Sequence, residues 1–211
     1  MTRQEKKEFL TEPGENRFLI KPGKTGGFMN STIKADLFRY GGLTGFRGFL
    51  KGLTIPGFRY SFLLRKAAAH PKYSLKGICY RLLLRRYTYK YGFQIPVATR
   101  IGKGLYLGHF GTVVINAKAT IGQFCNIGHG VTIGQENRGI RKGNPTIRDH
   151  VWIGSNAVIV GKIEIGSNVL ITPTTFVNFD VPENSIVIGN PARIIPRENP
   201  TQDYINHLLE A

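Results

Sequence analysis

The sequence predicts a mainly β protein in which a parallel β-helix of about four coils follows a small α-helical domain. The first observation is a repeat: an aliphatic residue recurs at every sixth position over a run that reads Ile147, Ile153, Ile159, Ile165, Ile171 and Val177. The second is that glycine directly follows many of these aliphatic residues. A short fixed period is typical of a solenoid, in which each repeat packs only on its neighbours. Ordinary alternating strands would not keep this period, so we interpret the segment as a β-helix.

Each hexapeptide is expected to form one short strand and one tight turn, so that three of them make a triangular coil with the aliphatic residues inside. The coils begin in turn at Ile101, Ile121, Ile147 and Ile165. Two steps are longer: two extra residues precede Ile115, and about eight extra residues bulge out within 135–145. Functional residues often lie in such an excursion from a regular scaffold, although a tolerated surface insertion is the alternative.

Four segments are predicted along the chain: an irregular N-terminal arm, a basic α-helical domain, the β-helix and a C-terminal tail, over residues 1–30, 31–92, 93–196 and 197–211. The α-helical domain is expected to hold four helices, over 31–40, 45–55, 58–69 and 74–91. Ser31 is the expected N-cap of the first helix. A short helix from Gln202 to Leu209 is expected in the tail, where it would cap the end of the prism.

The net charge of +16 is concentrated in the first half of the chain. Residues 1–100 carry 20 Lys and Arg against 5 Asp and Glu, whereas the remainder carries 9 against 8. Aromatic residues are interleaved with this positive charge, which favours contact with an anionic membrane surface over simple solvation of helix faces. Binding to nucleic acid is disfavoured because no recognition motif accompanies the charge.

The composition also indicates the cellular compartment in which the protein is expected. The first residues are too charged for a signal peptide, and no apolar run approaches the length of a membrane span. Two cysteines, Cys79 and Cys125, provide no disulfide framework, which suits a reducing compartment. We therefore expect a cytoplasmic protein that can take a peripheral position at the inner face of the membrane.

Two histidines occupy the same position in successive coils. His109 follows Leu107 by two residues and His129 follows Ile127 by two, so their side chains are expected about 5 Å apart along the prism axis. Two stacked imidazoles suit a metal site, or general base catalysis by one of them. A pair of surface histidines is the plainer alternative. His109 stands directly before the two-residue insertion, which favours a functional role for it.

Three motifs are similar to those of the hexapeptide-repeat acetyltransferases: Gly108-His109, the segment from Val151 to Ala157, and the closing segment from Gly189 to Arg193. The helical domain that runs into this array resembles that of serine acetyltransferases and of the capsular-polysaccharide O-acetyltransferases related to them. The resemblance implies a left-handed β-helix and a homotrimer with its active sites between neighbouring prisms. It also implies acetyl-CoA as the co-substrate and no metal.

The resemblance also implies roles for individual residues. His109 matches the family's general base, which deprotonates an acceptor hydroxyl for direct attack on the thioester. Gln94 stands where the family has an acid that orients this base. Three residues are expected to contact the acceptor: Asp36, His129 and Asn144. Five are expected along the acetyl-CoA site: Gly154, Ala157, Lys162, Thr172 and Arg193.

The acceptor is expected to be L-serine or a sugar of a surface polysaccharide. Gly108 and Gln94 replace acidic residues of the serine acetyltransferases, and Gly143 with Asn144 replaces their Arg-His pair. These changes favour a neutral sugar hydroxyl, because a buried ammonium without a partner is costly. Two other classes stay open: a trimeric γ-carbonic-anhydrase-like metalloenzyme, and a non-catalytic scaffold at a membrane surface.

Overall fold

The computed structural model describes residues 29–209, so the predicted N-terminal arm lies outside the described chain apart from its last two residues. Within this range four helices come first: α1 (Ser31–Phe38), α2 (Gly45–Gly52), α3 (Pro56–Ala69) and α4 (Leu75–Tyr91). Fifteen short strands follow: β1 (Phe93–Gln94), β2 (Arg100–Ile101), β3 (Tyr106–Leu107), β4 (Val113–Ile115), β5 (Thr120–Ile121), β6 (Asn126–Ile127), β7 (Thr132–Gly134), β8 (Thr146–Ile147), β9 (Val151–Ile153), β10 (Val158–Val160), β11 (Glu164–Ile165), β12 (Val169–Ile171), β13 (Phe176–Val177), β14 (Ser185–Gly189) and β15 (Ala192–Pro196).

The strands form the three walls of a prism, which confirms the predicted β-solenoid. Sheet A has the order β1-β4-β7-β10-β13, sheet B has β11-β8-β5-β2, and sheet C has β15-β14-β12-β9-β6-β3. The strands pair in parallel, except that β14 and β15 pair antiparallel. Four complete coils of three strands are present, and β1 and β14 add a fifth layer to sheets A and C.

The six-residue period sets the core of the prism. Ile127 pairs with Ile153 on sheet C, and Ile133 pairs with Ile159 on sheet A. These side chains are almost completely buried, because every hexapeptide points its aliphatic residue inward. The burial of this aliphatic stack is the main source of stability for the solenoid.

The ends of two helices show how local sequence sets their limits. Asn30 is the N-cap of α1, since its side chain accepts the N–H of Ile33 at 2.9 Å. The prediction of Ser31 as N-cap was therefore wrong by one residue. Gly92 ends α4 in the left-handed conformation, with φ of 79°, and its N–H donates to the carbonyl of Thr88.

The helical domain is anchored to the first coil through buried polar contacts. Arg65 forms an ion pair with Asp36 at 2.9 Å and donates to the carbonyls of Ile101 and Gly102 at 2.6 and 2.5 Å. The hydroxyl of Tyr40 accepts the N–H of Leu107 at 3.1 Å. Helices α1 and α3 are thus fixed against the start of the solenoid.

The C-terminal segment does not form the helix predicted from Gln202 to Leu209. It runs through turns along sheet C, where the ring of Tyr204 packs on Trp152 with centroids 5.0 Å apart. The carbonyl of Tyr204 accepts from Asn126 at 3.0 Å, and that of Asn206 accepts from Arg39 at 2.9 Å. Side chains of the solenoid and of α1 therefore take up carbonyls that a helix would have used internally.

Candidate functional site

The turns that lead from sheet C to sheet A form a continuous edge of the prism, which we call the histidine corner. It consists of residues 108–112, 128–131, 154–157 and 172–175. Backbone hydrogen bonds join the successive turns: Gly130 donates to Thr112 at 2.6 Å, Asn156 to His129 at 2.9 Å, and Thr174 to Ser155 at 2.9 Å. Side chains at equivalent positions of these turns are consequently held one above another.

His109 and His129 are in contact at this corner, as their spacing predicts. Their ring centroids are 5.9 Å apart and the rings are nearly perpendicular, at 86°. Both side chains are exposed, so a ligand can reach the ring nitrogens. An exposed imidazole is suited to accepting a proton near neutral pH.

Ser155 belongs to the same site, although the sequence analysis did not identify it. Its hydroxyl lies 3.3 Å from Nδ1 of His129 and restricts the orientation of that ring. Ser155 follows Ile153 by two residues, which is the spacing that places His109 and His129 in their own coils. Extending the same count by one coil would have found it.

The turn that carries His109 is longer than those below it and is fastened to the end of α4. The N–H of Gly111 donates to the carbonyl of Tyr91 at 2.8 Å. A Cβ at Gly111 would lie 3.0 Å from Cβ of His129, and φ there is +148°, so glycine is required beside the second imidazole. Phe110, next to His109, leaves 67% of its surface exposed.

Gln94 lies on β1, where it is exposed and pairs with Val114 of β4. Within residues 29–209, no hydrogen bond joins its amide to the imidazole of His109. Gln94 therefore does not hold the ring of His109 in the single chain.

Asp36 is not part of the histidine corner of the single chain, and its expected role in contacting the acceptor stays a prediction. The side chain is completely buried. Its oxygens accept from Arg65 at 2.9 and 3.3 Å and from the N–H of Leu105 at 2.9 Å. In the single chain these contacts dock the helical domain on the first coil.

Three of the residues expected along the acetyl-CoA site lie at the histidine corner. A Cβ at Gly154 would be 2.5 Å from the nitrogen of Pro173, so the stacking of coils explains this glycine. Ala157 is completely buried in the prism core, and its expected place beside the cofactor stays a prediction. Thr172 is partly exposed, and its hydroxyl lies 2.9 Å from that of Thr175.

The remaining predicted site residues lie elsewhere on the prism. Asn144 and Lys162 are at the edge between sheets A and B, on or beside the loop 135–145. Oδ1 of Asn144 is buried and has no hydrogen-bond partner within the described chain. Arg193 is exposed on β15, opposite Ile188. A single chain therefore brings neither Asn144 to His109 nor Lys162 to Arg193.

The loop 135–145 is an ordered excursion. Glu136 and Gly143 exchange two backbone hydrogen bonds, of 2.9 and 3.0 Å, so the loop is closed at its base like a hairpin. At its tip Ile140 leaves 98% of its surface exposed.

Residues 29–209 contain neither a cluster of metal-binding side chains nor a membrane-spanning helix. No three His, Cys, Asp or Glu side chains come close enough together there to hold a metal ion. A metal at His109 and His129 would accordingly take further ligands from a neighbouring chain or from solvent. Over the same residues, no helix has both the length and the apolar character to cross a bilayer.

The chain is similar to known proteins in sequence. The family described as "Bacterial transferase hexapeptide (six repeats)" matches residues 144–178. A serine acetyltransferase of Synechococcus elongatus is 36% identical over 116 residues, which is 55% of this chain and 48% of that protein. The chloroplastic serine acetyltransferase 1 of Arabidopsis thaliana is 38% identical over 139 residues, covering 61% and 44%. The chain spans about half the length of these curated relatives.

Solved structures are similar as well. The Neisseria gonorrhoeae serine acetyltransferase in complex with serine has a TM-score of 0.63 and 33% identity, over 78% of this chain and 67% of that one. The serine acetyltransferase of Brucella abortus strain S19 in complex with coenzyme A has a TM-score of 0.64 and 29% identity, over 79% and 67%.

Proposed function

We propose that this chain, which belongs to the serine acetyltransferase-like family of hexapeptide-repeat proteins, transfers an acetyl group from acetyl-CoA to a hydroxyl acceptor. The observation that carries the proposal is the pair of exposed imidazoles in contact at the histidine corner. A hydroxyl is a weak nucleophile at neutral pH, and an accessible imidazole can remove its proton as it attacks.

In the proposed reaction a ring nitrogen of His109 accepts the proton of the acceptor hydroxyl. The hydroxyl oxygen forms a bond to the thioester carbonyl carbon, and the carbon–sulfur bond then breaks. The departing sulfur of coenzyme A takes up the proton from the imidazole, so that the products are an acetyl ester and a thiol. Transfer is direct, and no acetyl group is attached to the protein. The cysteine nearest in sequence, Cys125, is buried in the prism, and burial raises its pKa to about 12, so it is a poor nucleophile.

We propose that the active assembly is a homotrimer closed through sheet A. Four of the seven residues that point outward from sheet A are apolar side chains, Val114, Val158, Val160 and Phe176, and the other three are Gln94, Thr132 and Gly134. Those that point outward from sheet B are polar or charged: Arg100, Thr120, Thr146 and Glu164. Association through sheet A would cover apolar surface and leave sheet B in water.

A trimer of this kind would complete the site. If sheet A of each copy faces the threefold axis, each cleft joins the histidine corner of one copy to the opposite edge of the next. The loop 135–145 of the second copy, with Asn144 and the exposed Ile140, would then lie beside His109 of the first. Lys162 borders the same loop, because its N–H donates to the carbonyl of Arg141 at 2.8 Å, and it would offer a positive charge to the phosphates of coenzyme A.

The charges around the histidine corner favour a neutral sugar hydroxyl as the acceptor. No acidic residue occurs between Asp36 and Glu136, and Asp36 is buried in its ion pair. At the histidine corner of a single chain, a zwitterionic amino acid would find no carboxylate for its ammonium group. A sugar needs only hydrogen-bonding groups, which Gln94, His129 and Ser155 provide. L-serine is the second candidate, because serine acetyltransferases are the relatives in both comparisons.

The test is acceptor-dependent release of coenzyme A from acetyl-CoA, measured with L-serine and with a panel of sugars that occur in surface polysaccharides. We expect release with at least one sugar and weak turnover of serine. A value of kcat/KM for serine on the order of 10⁴ M⁻¹s⁻¹ or above would instead make the chain a true serine acetyltransferase. Hydration of carbon dioxide by protein with stoichiometric zinc would favour the metalloenzyme. No release with any acceptor would favour the scaffold.

A further inference from the structure

Helix α4 carries apolar side chains on the side that faces away from the rest of residues 29–209. Its exposed apolar residues recur at helical spacing: Leu75, Ile78, Cys79, Leu82 and Tyr89. Leu75 leaves 85% of its surface exposed, Leu82 63% and Tyr89 76%. At about 100° per residue these positions share one side of the helix, opposite the buried Gly77, Leu84 and Tyr91. A helix that packs on α3 with one face would normally place polar residues on the other.

Basic residues flank this apolar stripe and also interrupt it, because Arg86 follows Leu82 by four residues and lies on the same side of the helix. Four exposed ones belong to α4: Lys76, Arg85, Arg86 and Lys90. The guanidinium of Arg85 lies 5.9 Å from the ring centroid of Tyr89, and just before the helix the ammonium of Lys72 lies 5.2 Å from that of Tyr73. Among residues 29–209 no ion pair involves these side chains, and the sequence from residue 37 to residue 135 contains neither Asp nor Glu.

We propose that this surface, the α4 face, docks on an anionic lipid bilayer with α4 lying in the plane of the interface. Leucine, isoleucine and tyrosine side chains would enter the boundary between head groups and acyl chains, while lysine and arginine contact the lipid phosphates. The helix would lie on the bilayer without crossing it, in keeping with the absence of a membrane-spanning helix over residues 29–209. This proposal concerns location and does not depend on acetyl transfer.

The charge pattern distinguishes a bilayer from other occupants of the face. A second copy of the chain would present the same acid-free surface, so two α4 faces would repel each other. A nucleic acid would use the positive charge but would leave Leu75, Leu82 and the other apolar side chains exposed to water. An anionic bilayer satisfies both features, because it offers negative charge at its surface and an apolar layer just beneath.

The first experiment measures co-sedimentation of the full chain with vesicles of phosphatidylglycerol and phosphatidylcholine, and with vesicles of phosphatidylcholine alone. We expect salt-sensitive binding to the anionic vesicles only. The double substitution Arg85→Gln and Arg86→Gln should weaken binding about fivefold for each charge, and Leu82→Ser about tenfold. The matched control, Lys118→Gln with Arg197→Gln, removes two exposed charges that lie outside the helical domain and should leave binding unchanged.

The second experiment uses Cys79, which is exposed on the α4 face, as the site for an environment-sensitive fluorophore. Cys125 is buried and stays unlabelled.

A blue shift of the fluorophore's emission on addition of anionic vesicles supports the proposal. A blue shift on raising the protein concentration without vesicles, abolished by Leu82→Ser, would overturn it in favour of a second copy. Binding to an oligonucleotide that Leu82→Ser leaves intact, without vesicle binding, would overturn it in favour of nucleic acid. Absence of all binding would also overturn it.

Discussion

The solenoid and the helical domain of this chain differ in the charge and the apolar character of their exposed side chains. In the solenoid the repeat fixes the direction of every side chain, and residues 101–211 are close to neutral, with 9 Lys and Arg against 8 Asp and Glu. In the helical part, residues 29–100 carry 14 basic residues against the single Asp36, and α4 turns an apolar stripe outward. The difference indicates that the two parts of the chain have different roles. The solenoid carries the proposed chemistry at the histidine corner, and the helical domain carries the proposed location.

Disrupting the assembly of solenoids into a trimer should have the largest effect, which is a loss of acetyl transfer. Val158→Lys places a charge on the outward side of sheet A, where three copies would meet. We expect a monomer with acetyl transfer reduced to background, because each site would lack the loop of the neighbouring copy. The monomer should still bind anionic vesicles through α4, although more weakly, since three linked faces bind more tightly than one.

The measurements are sedimentation velocity, coenzyme A release and vesicle binding. Thr146→Lys is the matched control, because it puts the same charge on the outward side of sheet B, beside Glu164. It should remain trimeric and active. An active Val158→Lys monomer would show that one chain holds the whole site.

Weakening the junction between the helical domain and the solenoid should have the next largest effect, which is a loss of stability. Arg65→Met would leave Asp36 buried without its ion-pair partner, and breaking a buried pair costs about 3–5 kcal/mol. We expect the helical domain to lose its anchorage before the solenoid melts. Hydrogen exchange should show this as faster exchange in α1 and α3, with the strands still protected.

The control for the junction is Arg148→Met, which removes an exposed ion pair of 2.7 Å to Glu164. An exposed pair is worth about 1 kcal/mol or less, so little change in the unfolding temperature is expected. Equal losses of stability in the two variants would contradict the role assigned to Asp36 and Arg65.

A smaller effect is expected from Arg193→Ala on the exposed strand β15. If this side chain contacts a phosphate of acetyl-CoA, the contact is equal in the ground and transition states, so KM for acetyl-CoA should rise about fivefold with kcat unchanged. Arg197→Ala, a few residues further along the same exposed segment, should change neither constant. A lower kcat at unchanged KM would place the phosphates elsewhere.

The sequence predicted the solenoid well because a period of six leaves one arrangement in which Ile127, Ile133 and Ile153 are all buried. It failed where tertiary contacts decide the outcome. The tail did not form a helix, because Asn126, Arg39 and Trp152 hold it against the prism. Local propensity contains no information about these distant partners.

The candidate site was predicted where the repeat determines the position of a residue, and it was not predicted where tertiary contacts do. The shared position of His109 and His129 follows from counting along the repeat, and the same count would have reached Ser155. The ion pair of Asp36 was not predicted, because a helix position alone does not reveal the buried Arg65 beside it. Neither Asn144 nor Lys162 can be related to His109 within one chain, since the edges of different copies would have to meet.

The most direct test of the account compares the rate of acetyl-CoA-dependent acetyl transfer by the wild-type protein with that of His109→Ala. Loss of a general base should lower kcat by about 10²–10⁴-fold while the trimer, the circular dichroism spectrum and vesicle binding stay unchanged. His70→Ala is the matched control, because it removes an imidazole from the end of α3, away from the histidine corner, and should keep full activity. A His109→Ala variant with wild-type turnover would contradict the central claim that chemistry occurs at this corner.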